Sequence, residues 1–142
     1  MPQPTVERMI ALLRAEIAAV GAYRQAIAEL HDEDLKRALE GCVRSHETRV
    51  SRLRDHVEQL GGVPVTDAGA WDPTAKLVPR PPAAGRDDVL AALEATEELG
   101  LADYERDAQQ LDGDSRRLVL DELLPEQQRT CGELSRLAHG GD

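Results

Sequence analysis

The side chains best able to do chemistry in this sequence are acidic, phenolic and imidazole groups that lie on otherwise apolar helix faces. Glu16 and Glu97 fall on such stripes in two predicted helices, and Tyr23 and Tyr104 each follow seven residues later. His46 takes an inward position on a further helix. Because converging buried carboxylates repel each other, they need a cation or a shared proton between them. The pattern therefore predicts either a metal site or a buried ion cluster.

The spacing of these residues lacks part of the ligand pattern of a di-metal site. Helical bundles that bind two iron or manganese ions use one Glu from each of two helices and Glu-x-x-His from each of the other two. None of the four histidines here has an acidic residue three positions before it. The motif would fall, in one register, on Glu47-x-x-Val50 and Glu126-x-x-Arg129 and, in the other, on His46-x-x-Arg49 and Gln127-x-x-Thr130. Neither register supplies the ligand histidine.

Two interpretations of the polar positions remain open. In the first, metal is bound by a candidate set of Glu16, His46, Glu47, Glu97 and Glu126, and the site is lined by Tyr23, Arg49, Tyr104, Gln127, Arg129 and Thr130. In the second, no metal is bound and an arginine or a shared proton holds the inward carboxylates. Arg49 lies one turn after His46 on the same face, and a guanidinium can neutralise carboxylates as a metal would. We predict that Arg49 bonds Glu16, Glu97 or both.

The elements that must position these residues are helices. The chain has 142 residues, of which 41% are hydrophobic, 31% charged and only 2% aromatic. Such a composition favours helices over a β-sandwich or barrel. Apolar periodicity predicts helices over about 5–30, 32–60, 87–111 and 114–138, with a proline- and glycine-rich crossover over 61–86 that contains Trp71. Short connections make helical neighbours antiparallel, so we predict one all-α domain over 1–142, a four-helix bundle of two hairpins joined by one long crossover.

The two predicted hairpins look like copies of each other. Adding 81 to a position in the first hairpin gives its counterpart in the second, without a gap. This offset pairs Glu16 with Glu97 and Tyr23 with Tyr104. Leucine matches are expected between any two amphipathic hairpins, whereas paired Glu and Tyr are more specific. We therefore expect a pseudo-twofold axis that relates the hairpins.

Several segments carry a resemblance to a known family. They are 12–20 (LLRAEIAAV), 45–50 (SHETRV), 60–64 (LGGVP), 69–71 (GAW), 100–105 (GLADYE) and 123–127 (LLPEQ). In order and spacing the chain resembles a branch of bacterial ferritin-like proteins of unknown function, and Glu16-x6-Tyr23 is similar to the ligand-plus-tyrosine pattern of ferritins and bacterioferritins. The resemblance implies a ferritin-like four-helix bundle, a fold whose members often carry a di-metal carboxylate site. Because the ligand histidines are missing, that chemistry transfers only to Glu16 and Glu97, with His46 and Glu47 as weaker additions.

Charge and composition limit the kinds of partner that the protein is expected to bind. The formal net charge is −10, which disfavours binding to nucleic acid and to anionic membranes. No secretion signal or membrane-spanning stretch is apparent, and Cys42 and Cys131 are too few for a disulfide framework, so a cytoplasmic protein is expected. Pro125 removes one helical hydrogen bond and is expected to kink the fourth helix near the site.

Two functions are compatible with these observations. The favoured one is a ferritin-like bundle with a degenerate di-metal site and no cofactor, which acts as a non-catalytic binding or structural module and could assemble as a homodimer. The alternative is an oxidoreductase of the di-iron or di-manganese carboxylate type, active in iron handling or oxidative-stress defence. The sequence leans towards the first, because few of the ligands that two metal ions need are present.

Overall fold

The computed structural model describes residues 3–67 and 85–139, and these stretches fold almost entirely into helices. The first three are α1 (Gln3–Glu29), α2 (Glu33–Gln59) and α3 (Arg86–Gln110). The fourth helix of the bundle consists of α4 (Gly113–Leu118), a π-helical turn (Val119–Leu123) and α5 (Leu124–His139). The predicted helix bounds differ from these by one or two residues. No strand occurs within 3–67 and 85–139, and none of the helices there is long and apolar enough to cross a bilayer.

The connections have local causes in the sequence. Asp32 caps α2, since its Oδ1 accepts hydrogen bonds from the backbone N–H groups of Asp34 at 3.0 Å and Leu35 at 3.2 Å. Gly61 follows α2 with φ of 84°, a left-handed conformation that favours glycine after a helix. Most of the predicted crossover, with Trp71, lies outside the described residues.

Pro125 disturbs the fourth helix in a specific way. Its ring carries no N–H, and it lies two residues after the end of the π-helical turn. Beside it, the backbone N–H of Leu124 donates to the carbonyl of Val119, five residues earlier. Where the sequence predicts a kink, the structure shows an inserted π turn next to Pro125.

Helix packing leaves a polar layer in the middle of the bundle. α1 packs along α2, α3 packs along α5, α1 also contacts α3, and α2 contacts α5. One apolar cluster gathers residues near the α1–α2 connection, including Tyr23, Leu39 and Leu90. A second, at the opposite end, includes Leu13 and Leu53. Between these clusters the inward positions of all four bundle helices are polar.

Candidate functional site

Eight buried polar side chains meet between the two apolar clusters. We call them the central polar cluster: Glu16 and Tyr23 from α1, His46 and Arg49 from α2, Glu97 and Tyr104 from α3, and Gln127 and Thr130 from α5. Each exposes 3% of its surface or less. The two members of a pair are seven residues apart in α1 and α3 and three apart in α2 and α5, so both lie on one inward face of their helix. All eight are therefore cut off from bulk water and must satisfy one another.

His46 bridges the two carboxylates. Its Nδ1 lies 2.5 Å from Oε1 of Glu16, and its Nε2 lies 2.7 Å from Oε2 of Glu97. An ionised carboxylate only accepts hydrogen bonds, so both ring nitrogens donate and the ring is an imidazolium. Burial by itself would lower the pKa of His46, but the charge and hydrogen bonds of Glu16 and Glu97 outweigh it and raise the pKa to about 9.

Arg49 supplies the second positive charge. Its Nη1 donates to Oε2 of Glu16 at 3.2 Å and to Oε1 of Gln127. Its Nη2 donates to the hydroxyls of Ser45 at 3.1 Å and Thr130 at 3.0 Å. Nη2 also lies 3.3 Å from Nε2 of His46, but two donors face each other there, so the contact is no hydrogen bond. The predicted bond from Arg49 to Glu16 is present in the structure.

Glu97 is linked to Arg49 through two intermediates. Gln127 donates from Nε2 to Oε1 of Glu97 at 2.9 Å, and Thr130 donates to the same oxygen at 2.8 Å. Both intermediates accept a hydrogen bond from Arg49. The guanidinium therefore acts on one carboxylate directly and on the other through neutral side chains.

The two tyrosines cross between the hairpins. Tyr23 of α1 donates its hydroxyl to Oε2 of Glu97 on α3, and Tyr104 of α3 donates to Oε2 of Glu16 on α1. Each tyrosine thus bonds the glutamate that lies 81 positions from its own helix partner. These crossed bonds tie α1 to α3 at the centre of the bundle.

The charges of the cluster balance. Burial raises the pKa of Glu16, but the charges of His46 and Arg49 outweigh it and leave the pKa below its ordinary value. Burial also raises the pKa of Glu97, and the hydrogen bond and charge of His46 reverse that effect. Two carboxylates and two cations sum to zero, which is the condition for holding ionised groups in a low-dielectric interior.

The structure does not bring the other predicted ligands to the cluster. Glu47 is exposed and pairs with Arg24. Glu126 lies at the surface edge, where it accepts hydrogen bonds from Ser45 at 2.7 Å and from Arg129, which is itself exposed. Consecutive helical residues point about 100° apart, so only one of the two predicted registers can face inward. The inward register is His46-x-x-Arg49 with Gln127-x-x-Thr130.

No metal-binding group is formed within the described residues. No set of three or more His, Cys, Asp or Glu side chains there is placed to hold an ion. Glu16, His46 and Glu97 do meet, but both ring nitrogens of His46 are hydrogen-bonded to the carboxylates and are not available to a metal ion. The arrangement is an ion-pair network in which donors face acceptors, except that the buried Nε of Arg49 has no hydrogen-bond partner within the described residues.

Two residues that the sequence did not single out support the cluster, Ser45 and Gly100, and a third buried polar residue, Asp107, lies outside it. Ser45 accepts from Arg49 and donates to Glu126, which joins the cluster to the surface. Gly100 lets Gln127 approach, since a Cβ there would lie 2.8 Å from Nε2 of Gln127. Asp107 is buried near the end of α3 and is paired with Arg8 at 3.0 Å. Asp107 lies three residues after Tyr104, so its helix position could have indicated burial. The role of Gly100 could not be predicted in this way, because it depends on a neighbouring helix.

The fold is similar to that of several solved structures. The sequence matches no protein-family model and no curated protein. Among solved structures, the chain is similar to DpsC from Streptomyces coelicolor, with a TM-score of 0.80 at 18% identity over 93% of this chain and 81% of that one. It is similar to a ferritin-like, diiron-carboxylate protein from Bacillus anthracis, with a TM-score of 0.76 at 18% identity over 96% of each chain.

A third solved structure has the same architecture. It is the dodecameric thioferritin, a bacterioferritin-related protein from Bacteroides fragilis, with a TM-score of 0.79 at 18% identity over 95% of this chain and 84% of that one. At such identities the likeness concerns the fold alone. The chain is an all-α, ferritin-like four-helix bundle, as predicted.

Proposed function

We propose that this protein is a metal-free ferritin-like bundle that acts as a non-catalytic binding or structural module. The observation that carries the proposal is the position of Arg49. A permanently charged guanidinium with 2% of its side chain exposed lies at 3.2 Å from Glu16, in the layer where a ferritin-like bundle would hold metal. Together with His46 it supplies two positive charges, which neutralise the two buried carboxylates without a metal ion.

The donor set argues against two metal ions in this layer. A di-metal centre of this architecture draws on four carboxylates and two imidazoles. The central polar cluster offers two carboxylates, and its one imidazole bonds both of them. Gln127 and Thr130 are neutral and are engaged with Glu97. A cation entering the cluster would also meet Arg49, and the repulsion between them would be strong at low dielectric.

The alternative is a di-iron or di-manganese carboxylate protein. It is favoured by the meeting of Glu16, Glu97 and His46 at one point. It is also favoured by two structural neighbours, a diiron-carboxylate protein and a thioferritin. For this alternative to hold, Arg49 must swing out of the interior and His46 must lose a proton. Both changes break charge-assisted hydrogen bonds, so the geometry supports the metal-free proposal better.

Metal content decides between the two functions. The chain is expressed with iron or manganese supplied, purified without chelator and analysed by elemental mass spectrometry. We expect substoichiometric metal and no rapid oxidation of Fe(II). The variant Arg49→His puts an imidazole at the ligand position of the inward register and removes the guanidinium, so it should bind more metal than the natural chain.

The matched control is Arg52→His, on the same helix but at the surface, where Arg52 pairs with Glu122 at 2.7 Å. It should leave the metal content unchanged. If the natural chain holds two metal ions and Glu16→Gln releases them, the metal-free proposal is wrong and the alternative function stands. The predicted homodimer is tested on the same samples by light scattering.

A further inference from the structure

A narrow cleft opens between α1 and α3 and ends at the central polar cluster. Its walls are mainly apolar, with Leu12 and the small side chains Ala15, Ala18, Ala19 and Ala22 on one side and Thr96, Leu99 and Gly100 on the other. Its floor is made by Glu16, His46, Glu97, Tyr104 and Gln127. The cavity measures about 50 Å³, several times the roughly 10–15 Å³ that one water molecule needs on the same measure.

The hydrogen-bond inventory of the floor is asymmetric. Oε2 of Glu16 and both carboxylate oxygens of Glu97 each accept two hydrogen bonds. Within the described part of the chain, Oε1 of Glu16 accepts only one, from Nδ1 of His46. A carboxylate oxygen has two lone pairs, so this oxygen can accept one more donor. Glu16 is also one of the residues that line the cleft.

We propose that this cleft binds a small neutral molecule that has a hydroxyl group and a short apolar body. The hydroxyl donates to Oε1 of Glu16, and the apolar body lies between the alanine-lined wall of α1 and Leu99 with Gly100 on α3. This inference deepens the proposed function, because it gives the metal-free bundle a ligand class.

The charge of the floor selects a neutral ligand. Glu16, Glu97, His46 and Arg49 sum to zero, and Asp103, which also lines the cleft, is paired with Arg106 at 3.1 Å. A bound cation would therefore leave an unbalanced charge in a poorly solvated space. An anion would face two carboxylates and would bring no donor for Glu16. A hydroxyl compound adds a hydrogen bond without adding charge, and its carbon chain removes apolar wall from water.

The test is a titration of the metal-free, isotope-labelled chain followed by nuclear magnetic resonance. 1-Butanol is the probe, and diethyl ether is its control because it has the same atoms but no donor. We expect saturable shifts of the amide signals of Ala19 and Gly100, with butanol binding about tenfold tighter than ether, since a hydrogen bond to a charged group is worth about that factor. Butylammonium and butyrate should bind more weakly than butanol.

Two alanine variants locate the site. Ala15→Leu fills the cleft from a half-buried position and should weaken butanol binding at least about tenfold, whereas Ala11→Leu, exposed on the same helix, should leave it unchanged. Equal binding of butanol and ether, shifts that do not saturate, or full binding by Ala15→Leu would show that the cleft holds water only. Metal analysis of the same sample keeps this outcome separate from a failure of the metal-free proposal.

Discussion

Replacing Arg49 by alanine removes one of the two positive charges from the central polar cluster. The change leaves Glu16 and Glu97 facing a single imidazolium, so the central polar cluster carries a net negative charge. Each remaining member of the cluster exposes 3% of its surface or less. The change also takes the donors from Gln127, Ser45 and Thr130. The free energy of unfolding should therefore fall steeply at neutral pH.

The magnitude follows from the burial of the pair. Removing one partner of a buried ion cluster costs about 3–5 kcal/mol, because the remaining charge is uncompensated. For a chain of this size that corresponds to a melting temperature lower by roughly 10–15 °C. In acid the carboxylates of the variant take up protons more readily, since the charge of Arg49 no longer lowers the pKa of Glu16. There the deficit should shrink to the ~1–2 kcal/mol of the lost hydrogen bonds.

The assay is urea unfolding followed by far-ultraviolet circular dichroism at neutral pH and in acid. Arg52→Ala is the control, because its exposed pair with Glu122 should contribute less than about 1 kcal/mol. A double-mutant cycle of Arg49→Met and Glu16→Gln separates charge from packing, with a coupling of at least about 1 kcal/mol expected. The reasoning is refuted if Arg49→Ala is as stable as Arg52→Ala, or if its deficit is the same at both pH values.

Three further predictions concern the other buried groups. Folding raises the pKa of His46 from 6.5 to about 9. The stability that protonated His46 contributes is therefore complete below about pH 6.5 and is lost as the pH rises through about 9. In a profile of stability against pH, His46→Gln should flatten this alkaline limb. Tyr23→Phe and Tyr104→Phe should each lower the free energy of unfolding by about 1.5–3 kcal/mol, because each removes one hydrogen bond to a carboxylate. Urea unfolding measures both losses, and unequal losses would contradict the crossed arrangement. Burial raises the pKa of the Cys42 thiol to about 11, so Cys42 should react with a thiol reagent more slowly than the half-exposed Cys131, and a faster reaction at Cys42 would show that the interior opens.

Much of the fold could be predicted because helix formation leaves a local signal. The periodicity of apolar residues placed four helices within one or two residues of their bounds, and Asp32 and Gly61 marked a start and an end by their own chemistry. Glu16 and Glu97 stood out because a carboxylate on an apolar stripe conflicts with its surroundings. The same kind of stripe placed His46 on the inward face, but Glu47 stayed among the candidate ligands because one register of the di-metal motif begins at Glu47.

The sequence by itself determined the all-α bundle, the polar layer at its centre and the shortage of metal ligands, because each of these depends on residue types and on the geometry of single helices. Only the tertiary structure decided that Glu47 and Glu126 lie outside the cluster. It also decided that His46 bridges both carboxylates and that the tyrosines bond across to the opposite hairpin. These contacts depend on the rotation and spacing of helices that lie far apart in the chain. A long arginine can reach either solvent or the interior, and the buried carboxylate of Glu16 made the interior the lower-energy position for Arg49.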